Sequence, residues 1–256
     1  MISNKYKILD KINSGNFGVV YAGENVRTNE KVAIKIIEKK DEIIFKNECF
    51  IYKSIGNSIH FPKLKWVYIA PDYYVLVLTL LGESIQSFKK YPLQEDQLKD
   101  IASMIFSKIS LLHDMGIIHR DIKTNNCVKD LHNDTDIYLL DFSFSTFVMD
   151  EFGNDITNKG ITNIIGSKYF CSLNIHARQT PTRRDDLESA CYVIGDLING
   201  IEWSGLADEA QIIQKKIMFG STLTLQWLTN LYRRIRELDF NESLTYNDIQ
   251  TYITGN

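Results

Sequence analysis

Ile117-Ile118-His119-Arg120-Asp121-Ile122-Lys123-Thr124-Asn125-Asn126 is followed, fifteen residues after Asn126, by Asp141-Phe142-Ser143. Carboxylates, an amide and an ammonium group in this order suit phosphoryl transfer, whose loose transition state leaves a protein mainly to position and to neutralise. Upstream, Ile12-Asn13-Ser14-Gly15-Asn16-Phe17-Gly18-Val19-Val20 holds a loop whose glycines let backbone N–H groups approach phosphates closely. Taken alone, that loop is equally a plain hairpin turn. Fourteen residues past Tyr21, Lys35 closes Val32-Ala33-Ile34-Lys35, and strand alternation sets Ala33 and Lys35 on one face. Glu48 falls on the apolar stripe of the next helix, four residues from Ile44 and four from Tyr52. A carboxylate there wants a cation, with Lys35 the nearest candidate by topology; the alternative is a glutamate at the edge of the stripe, exposed to water.

The elements that must position these residues follow from hydrophobic periodicity. Tyr6–Leu9, Val19–Ala22 and Lys31–Ile36 read as strands of period two, parted by the turns Ser14-Gly15-Asn16 and Arg27-Thr28-Asn29. Ile44, Ile51, Tyr52 and Ile55 repeat at helical spacing, and Gly56-Asn57 ends the pattern. Strands near Leu64–Tyr68 and Tyr73–Leu78 complete a small sheet. After Leu80-Leu81-Gly82 the character turns helical: Leu98, Ile101, Ile105, Ile109 and Leu112 form one stripe closed by Gly116. Around Asp186–Ile198 the apolar residues surround the helix, as in one buried within a lobe. The expected class is α+β, a β-rich lobe of residues 1–80 and an α-helical lobe of residues 81–256 sharing a cleft.

The stretch Ile117–Asn126 together with Asp141-Phe142-Ser143 resembles the catalytic loop and the metal-binding Asp-Phe-Gly motif of protein kinases. The resemblance implies one bilobal kinase domain over residues 1–256, with ATP as phosphoryl donor and Mg2+ as cofactor. Asp121 would orient the acceptor hydroxyl and take its proton, Lys123 would touch the γ-phosphate, and Asn126 and Asp141 would hold the metal. Lys35, paired with Glu48, would aim at the α- and β-phosphates. Ile12, Asn13, Ser14, Gly15, Gly18, Val20 and Ala33 would enclose the nucleotide from the loop and strands. A lysine at position 123 marks Ser/Thr over Tyr specificity in the family, and His119 reads as support for the loop rather than a base.

The Ala-Pro-Glu landmark usual in kinases is absent. Instead Gly166-Ser167-Lys168-Tyr169, Ser172-Leu173-Asn174 and Arg183-Arg184-Asp185-Asp186-Leu187-Glu188-Ser189 closely resemble landmarks of the casein kinase I superfamily, which includes the vaccinia-related and tau-tubulin kinases. Leu80-Leu81-Gly82-Glu83-Ser84-Ile85 resembles its hinge, making Leu78 the gatekeeper and placing adenine against the backbone of Thr79 to Leu81. Asp186 would brace the catalytic loop, and Ser167 would stand where a threonine hydroxyl contacts the catalytic aspartate. Family members recognise acidic or pre-phosphorylated substrates through basic residues; Arg183 and Arg184 are the candidates for anion contact, with an ion pair to Asp185, Asp186 or Glu188 as the structural alternative. Asp141–Ser167 carries Lys159 against Asp150, Glu151 and Asp155, which argues against a strong preference for acidic sites. Asn13 and Ser143 replace family glycines, adding side chains at flexible points and favouring slower turnover. Several residues fewer after Trp203–Gly205 blur any mapping of Lys215 and Lys216.

The formal net charge of -3 argues against a protein that grips nucleic acid, and no apolar run reaches membrane-spanning length. Cys49, Cys127, Cys171 and Cys191 form no C-x-x-C pair, so four reduced thiols in a soluble cytoplasmic or nuclear monomer are expected. The chain closes at Tyr252–Asn256, and no regulatory extension is expected beyond it. Two other readings share these residues: a pseudokinase scaffold, supported by Asn13 and Ser143, and a kinase of small molecules, against which Lys123 speaks.

Overall fold

A computed structural model describes residues 1–15, 17–132, 136–150 and 152–255. The expectations resting on Asn16, Glu151 and Asn256 lie outside the described residues. Strands β1 (Tyr6–Gly15), β2 (Gly18–Asn25) and β3 (Lys31–Glu38) lead into helix α1 (Glu42–Ile55), followed by β4 (Leu64–Ile69) and β5 (Tyr73–Thr79). They form an antiparallel sheet in the order β1-β2-β3-β5-β4. Register places Val20 opposite Lys35 and Ala33 opposite Leu78. Opposed residues share a face, so Val20, Ala33, Lys35 and Leu78 all look into the cleft. Where β2 starts, the backbone of Gly18 runs so close to β3 that a Cβ would lie 2.1 Å from the Ile36 carbonyl oxygen, and its φ is +144°. Only glycine fits there.

The buried stripe of α1 is Phe45, Glu48, Cys49, Ile51, Tyr52 and Ile55. Ile44, expected on it, is half-buried, because Phe45 takes the inward position and stacks on Tyr74 with ring centroids 4.2 Å apart.

The second lobe begins with α2 (Glu95–Asp114), whose expected stripe from Leu98 to Leu112 is buried. Gln94 and Gln97 cap its start reciprocally, and Gly116, at φ +73°, ends it. Short strands β6 (Ile117–Ile118), β7 (Cys127–Lys129), β8 (Ile137–Leu139) and β9 (Thr146–Phe147) follow, β6 pairing with β9 and β7 with β8. They clamp the stretch that carries Asp121, Asn126 and Asp141. Helices α3 (Leu173–His176), α4 (Arg183–Asn199), α5 (Glu209–Thr222), α6 (Gln226–Arg236) and α7 (Tyr246–Thr254) complete the lobe. Every residue of α4 from Arg184 to Leu197 is buried, the charged Arg184, Asp185, Asp186, Glu188 and Asp196 among them, so the helix runs through the middle of the lobe with its polar groups paired rather than with an apolar surface all round.

Among the described residues no helix is long and apolar enough to cross a membrane. All four cysteines are buried and unpaired. Burial pushes the thiols of Cys49 and Cys171 up to about 11 and that of Cys127 up to about 12.

Lys216, unmapped in sequence, is wholly buried on α5. Its ammonium group donates to the carbonyls of Lys168, at 3.0 Å, and Cys171, and lies 3.1 Å from His176 Nε2. Burial pushes its pKa down to about 8, against the opposing pull of Cys171, Glu188 and Glu209. Between pH 8 and its ordinary value the unfolded chain binds the extra proton, so stability should rise with pH in that window. Urea unfolding from pH 7.5 to 9.5 should show a slope, steeper than that of Lys216→Met, of up to roughly 1.4 kcal/mol per pH unit. Parallel slopes for the two proteins would contradict this.

Candidate active site

Between the lobes lies a cavity of about 540 Å3. Ile12, Asn13, Gly15, Gly18 and Val20 line it from β1 and β2, Ala33 and Lys35 from β3, Glu48 from α1, and Leu78, Thr79 and Leu81 from the connection between lobes. Asn126 and Asp141 face it from the second lobe, with Val128 and Leu140 as apolar wall. Ser14 is the exception. Its side chain is exposed, and its N–H donates to the Asn13 side-chain oxygen at 2.8 Å. The asparagine standing in a glycine position thus takes a backbone donor that was expected to meet phosphate. Thr79 lines the cavity with its N–H donating to the Lys63 carbonyl at 3.1 Å and its hydroxyl accepting from the Lys63 N–H at 3.0 Å, which leaves its carbonyl as the polar group not used in these two bonds.

Lys35 joins the two lobes. Its ammonium group donates to Glu48 Oε1 and Oε2 at 3.0 and 2.7 Å, to Asp141 Oδ1 at 2.8 Å, and to Ser143 Oγ at 3.0 Å. Glu48 has no solvent exposure. Burial works against the charge on Lys35, but the pull of Glu48 and then Asp141 is stronger and raises its pKa above the ordinary value. The Asp141 carboxyl, also opposed by burial, is held far below the usual range by Lys35 and by the Ser143 hydroxyl.

Asp121 is 5% exposed and met by donors on both oxygens. Oδ2 accepts from Lys123 Nζ at 2.6 Å and Asn126 Nδ2 at 3.0 Å; Oδ1 accepts from the Ser167 backbone N–H at 2.9 Å. The contact expected of the Ser167 hydroxyl is therefore made by its amide. The preceding Gly166, at φ +90°, permits this: a Cβ there would come within 2.4 Å of the Arg120 carbonyl oxygen. Asn126 Nδ2 also donates to the Asp121 carbonyl at 2.9 Å, leaving its amide oxygen as the group that can face the cavity. Asp121 and Lys123 stand outside the cavity lining.

Asp186 of α4 braces this loop from beneath. Its carboxylate accepts from His119 N at 2.7 Å, Arg120 N at 2.9 Å and His113 Nε2 at 3.0 Å. Burial would raise its pKa, yet these donors hold it below the ordinary value. His119 is fully buried; Nε2 donates to the Leu140 carbonyl at 2.9 Å and Nδ1 accepts from the Asp121 amide, which suits a support and not a base. Above it Phe142 packs 5.3 Å from the His119 ring, 5.1 Å from Tyr52 of α1 and 6.0 Å from Phe61. This stack, running from α4 to α1, fixes the backbone that carries Asp141.

Arg184 is not a surface anion contact. It is 8% exposed, and its guanidinium donates to the Leu238 carbonyl at 2.7 Å and Gln179 Oε1 at 2.6 Å, because the start of α4 is buried under the chain that follows α6. Arg183 pairs with Asp155 at 3.4 Å, and Arg236 takes Glu188 at 2.6 Å. Neither arginine uses the partners its neighbours in sequence suggest. Sequence reasoning also missed Asn47, whose amide donates to the carbonyls of Ser143 at 2.9 Å and Ser145 at 3.0 Å, and Phe17, which lines the cavity and meets Phe144 edge-on at 5.1 Å. Periodicity carries no signal for either.

The described residues contain no cluster of three or more His, Cys, Asp or Glu able to enclose a metal. One carboxylate and one amide oxygen facing a cavity instead suit a hard divalent cation that keeps waters and takes further ligands from phosphates.

The protein kinase domain family matches residues 6–244. Among solved structures, one titled as that of vaccinia related kinase 3 superposes with a TM-score of 0.81 at 18% identity, covering 98% of this chain and 86% of that one. At that identity the likeness is one of fold.

Proposed function

The chain belongs to the protein kinase domain family, and on that premise we propose that it is an active serine/threonine kinase of casein kinase I type, moving the γ-phosphate of Mg-ATP to protein hydroxyls. The observation that carries the reading is Lys35 bound at once to Glu48 and Asp141, which sets the two halves of the site in one working arrangement. The sequence landmarks around Gly166–Asn174 and Arg183–Ser189 support the group, and Lys123 supports Ser/Thr acceptors.

In this reading Leu81 and its neighbours receive adenine while Ala33 and Val20 cover it. Lys35 neutralises phosphate charge, and Asp121 orients the acceptor hydroxyl and takes its proton, with Lys123 beside it to stabilise the transferring group. Asn126 and Asp141 would hold Mg2+, which when bound neutralises charge developing on the phosphate oxygens. With Arg184 committed internally and Arg183 paired to Asp155, neither arginine supports a preference for acidic acceptors.

The test is transfer of labelled phosphate from Mg-ATP to casein, or to the chain itself, with phosphoamino-acid analysis. Phosphoserine or phosphothreonine supports the reading. Nucleotide binding without transfer would support a scaffold instead, a role favoured by the Asn13 side chain capping the Ser14 amide.

A further inference from the structure

Ser143 stands where the kinase motif has glycine, and the sequence suggests only a stiffened flexible point. Its backbone lies outside the left-handed region that would call for glycine, and it is 2% exposed. The hydroxyl lies 2.5 Å from Asp141 Oδ1 and 3.0 Å from Glu48 Oε2, and accepts from Lys35 Nζ at 3.0 Å. A hydroxyl has one proton to give, and the shorter contact directs it to Asp141. Lys35 and Ser143 therefore converge on the same oxygen of Asp141. Among the described residues no group donates to the other oxygen, Oδ2, and Asp141 faces the cavity. The carbonyls of Ser143 itself and of Ser145 accept from the amide of Asn47, the residue next to Glu48 on α1.

We propose that Ser143 is a positioning residue that pins Asp141 through Oδ1, so that Oδ2 is presented to the divalent cation accompanying the nucleotide, and that it ties this presentation to the placement of α1. The inference rests on the reading of Asp141 as a metal ligand. A carboxylate held at one oxygen loses less freedom when the other is engaged, and partners of this kind typically change metal affinity or activity about 10–100-fold. The departure from glycine is then an added constraint on the site.

Calorimetry of ADP binding to the full chain, in EDTA and across a MgCl2 titration, separates this role from simple space-filling. Ser143→Ala should bind ADP in EDTA within about twofold of the unmodified chain. The Mg2+ concentration giving half of the metal-dependent gain in ADP affinity should rise about tenfold. Ser143→Gly should do the same, and Asn47→Ala, which keeps the hydroxyl but frees the backbone, should shift it in the same direction by less. An unchanged Mg2+ midpoint in Ser143→Ala overturns the proposal while leaving the metal reading intact. Absence of any Mg2+-dependent gain in the unmodified chain overturns the metal reading, and the proposal with it. Should both Ser143 variants fail to fold, as judged by thermal unfolding, an unshifted midpoint in Asn47→Ala is the overturning result.

Discussion

Asp141→Asn should lower phosphoryl transfer by about 10³-fold or more while the protein keeps its fold. The aspartate is held ionised by Lys35 and Ser143, so the substitution removes a full negative charge from the place where a cation must sit. Asparagine keeps an oxygen for both donors and the volume of the original side chain. Lys35 still has Glu48 as counter-ion, and the side chain of residue 141 is 36% exposed, so no charge is stranded. Initial rates beside thermal unfolding midpoints check the claim. A loss below tenfold with a normal midpoint would refute the role given to Asp141.

Lys35→Met acts on stability as well as on activity. It removes the counter-ion of a carboxylate with no solvent exposure, leaving Glu48 to compete with Asp141 for the one proton of the Ser143 hydroxyl. Breaking a buried pair from one side typically costs about 3–5 kcal/mol, whereas replacing both partners by apolar side chains is often near neutral. Lys35→Met with Glu48→Leu should therefore recover most of what the single change loses, a coupling that a double-mutant cycle in urea reads directly. The single variant also has a pH signature. Burial already raises the Glu48 pKa with Lys35 in place; without the ammonium group it rises further, so the added penalty grows as pH rises from the unfolded value to the folded one and fades toward about pH 4. Lys35→Met should come closest to the unmodified chain in mildly acidic buffer; a deficit independent of pH would mean Glu48 finds another partner.

Much of this arrangement is legible in one dimension. Strand alternation alone puts Ala33 and Lys35 on the cleft face, and a glutamate within an apolar stripe announces its need for Lys35. The spacing of Asp121, Asn126 and Asp141 carries the rest of the charged frame. What stays hidden depends on contacts between distant segments. Ser143 and Asn47 are 96 residues apart and meet only because α1 docks on the turn after Asp141. Arg184 sits among acidic neighbours in sequence, yet a buried helix start points its guanidinium at Leu238 and Gln179. The parts expected of Ser14 and Ser167 hang on which atom faces the site. Backbone and side chain change places there without altering the sequence pattern.

The four buried thiols give the molecule a set of internal clocks. Each is shut away from alkylating reagents in the closed fold and kept in its unreactive protonated form by its surroundings. Cys49 belongs to the helix that carries Glu48, Cys127 to the strand leaving the catalytic loop, Cys171 to the approach to α3, and Cys191 to the middle of α4. Their order of modification in mild denaturant would therefore record which part of the molecule opens first, with no label added and no residue changed.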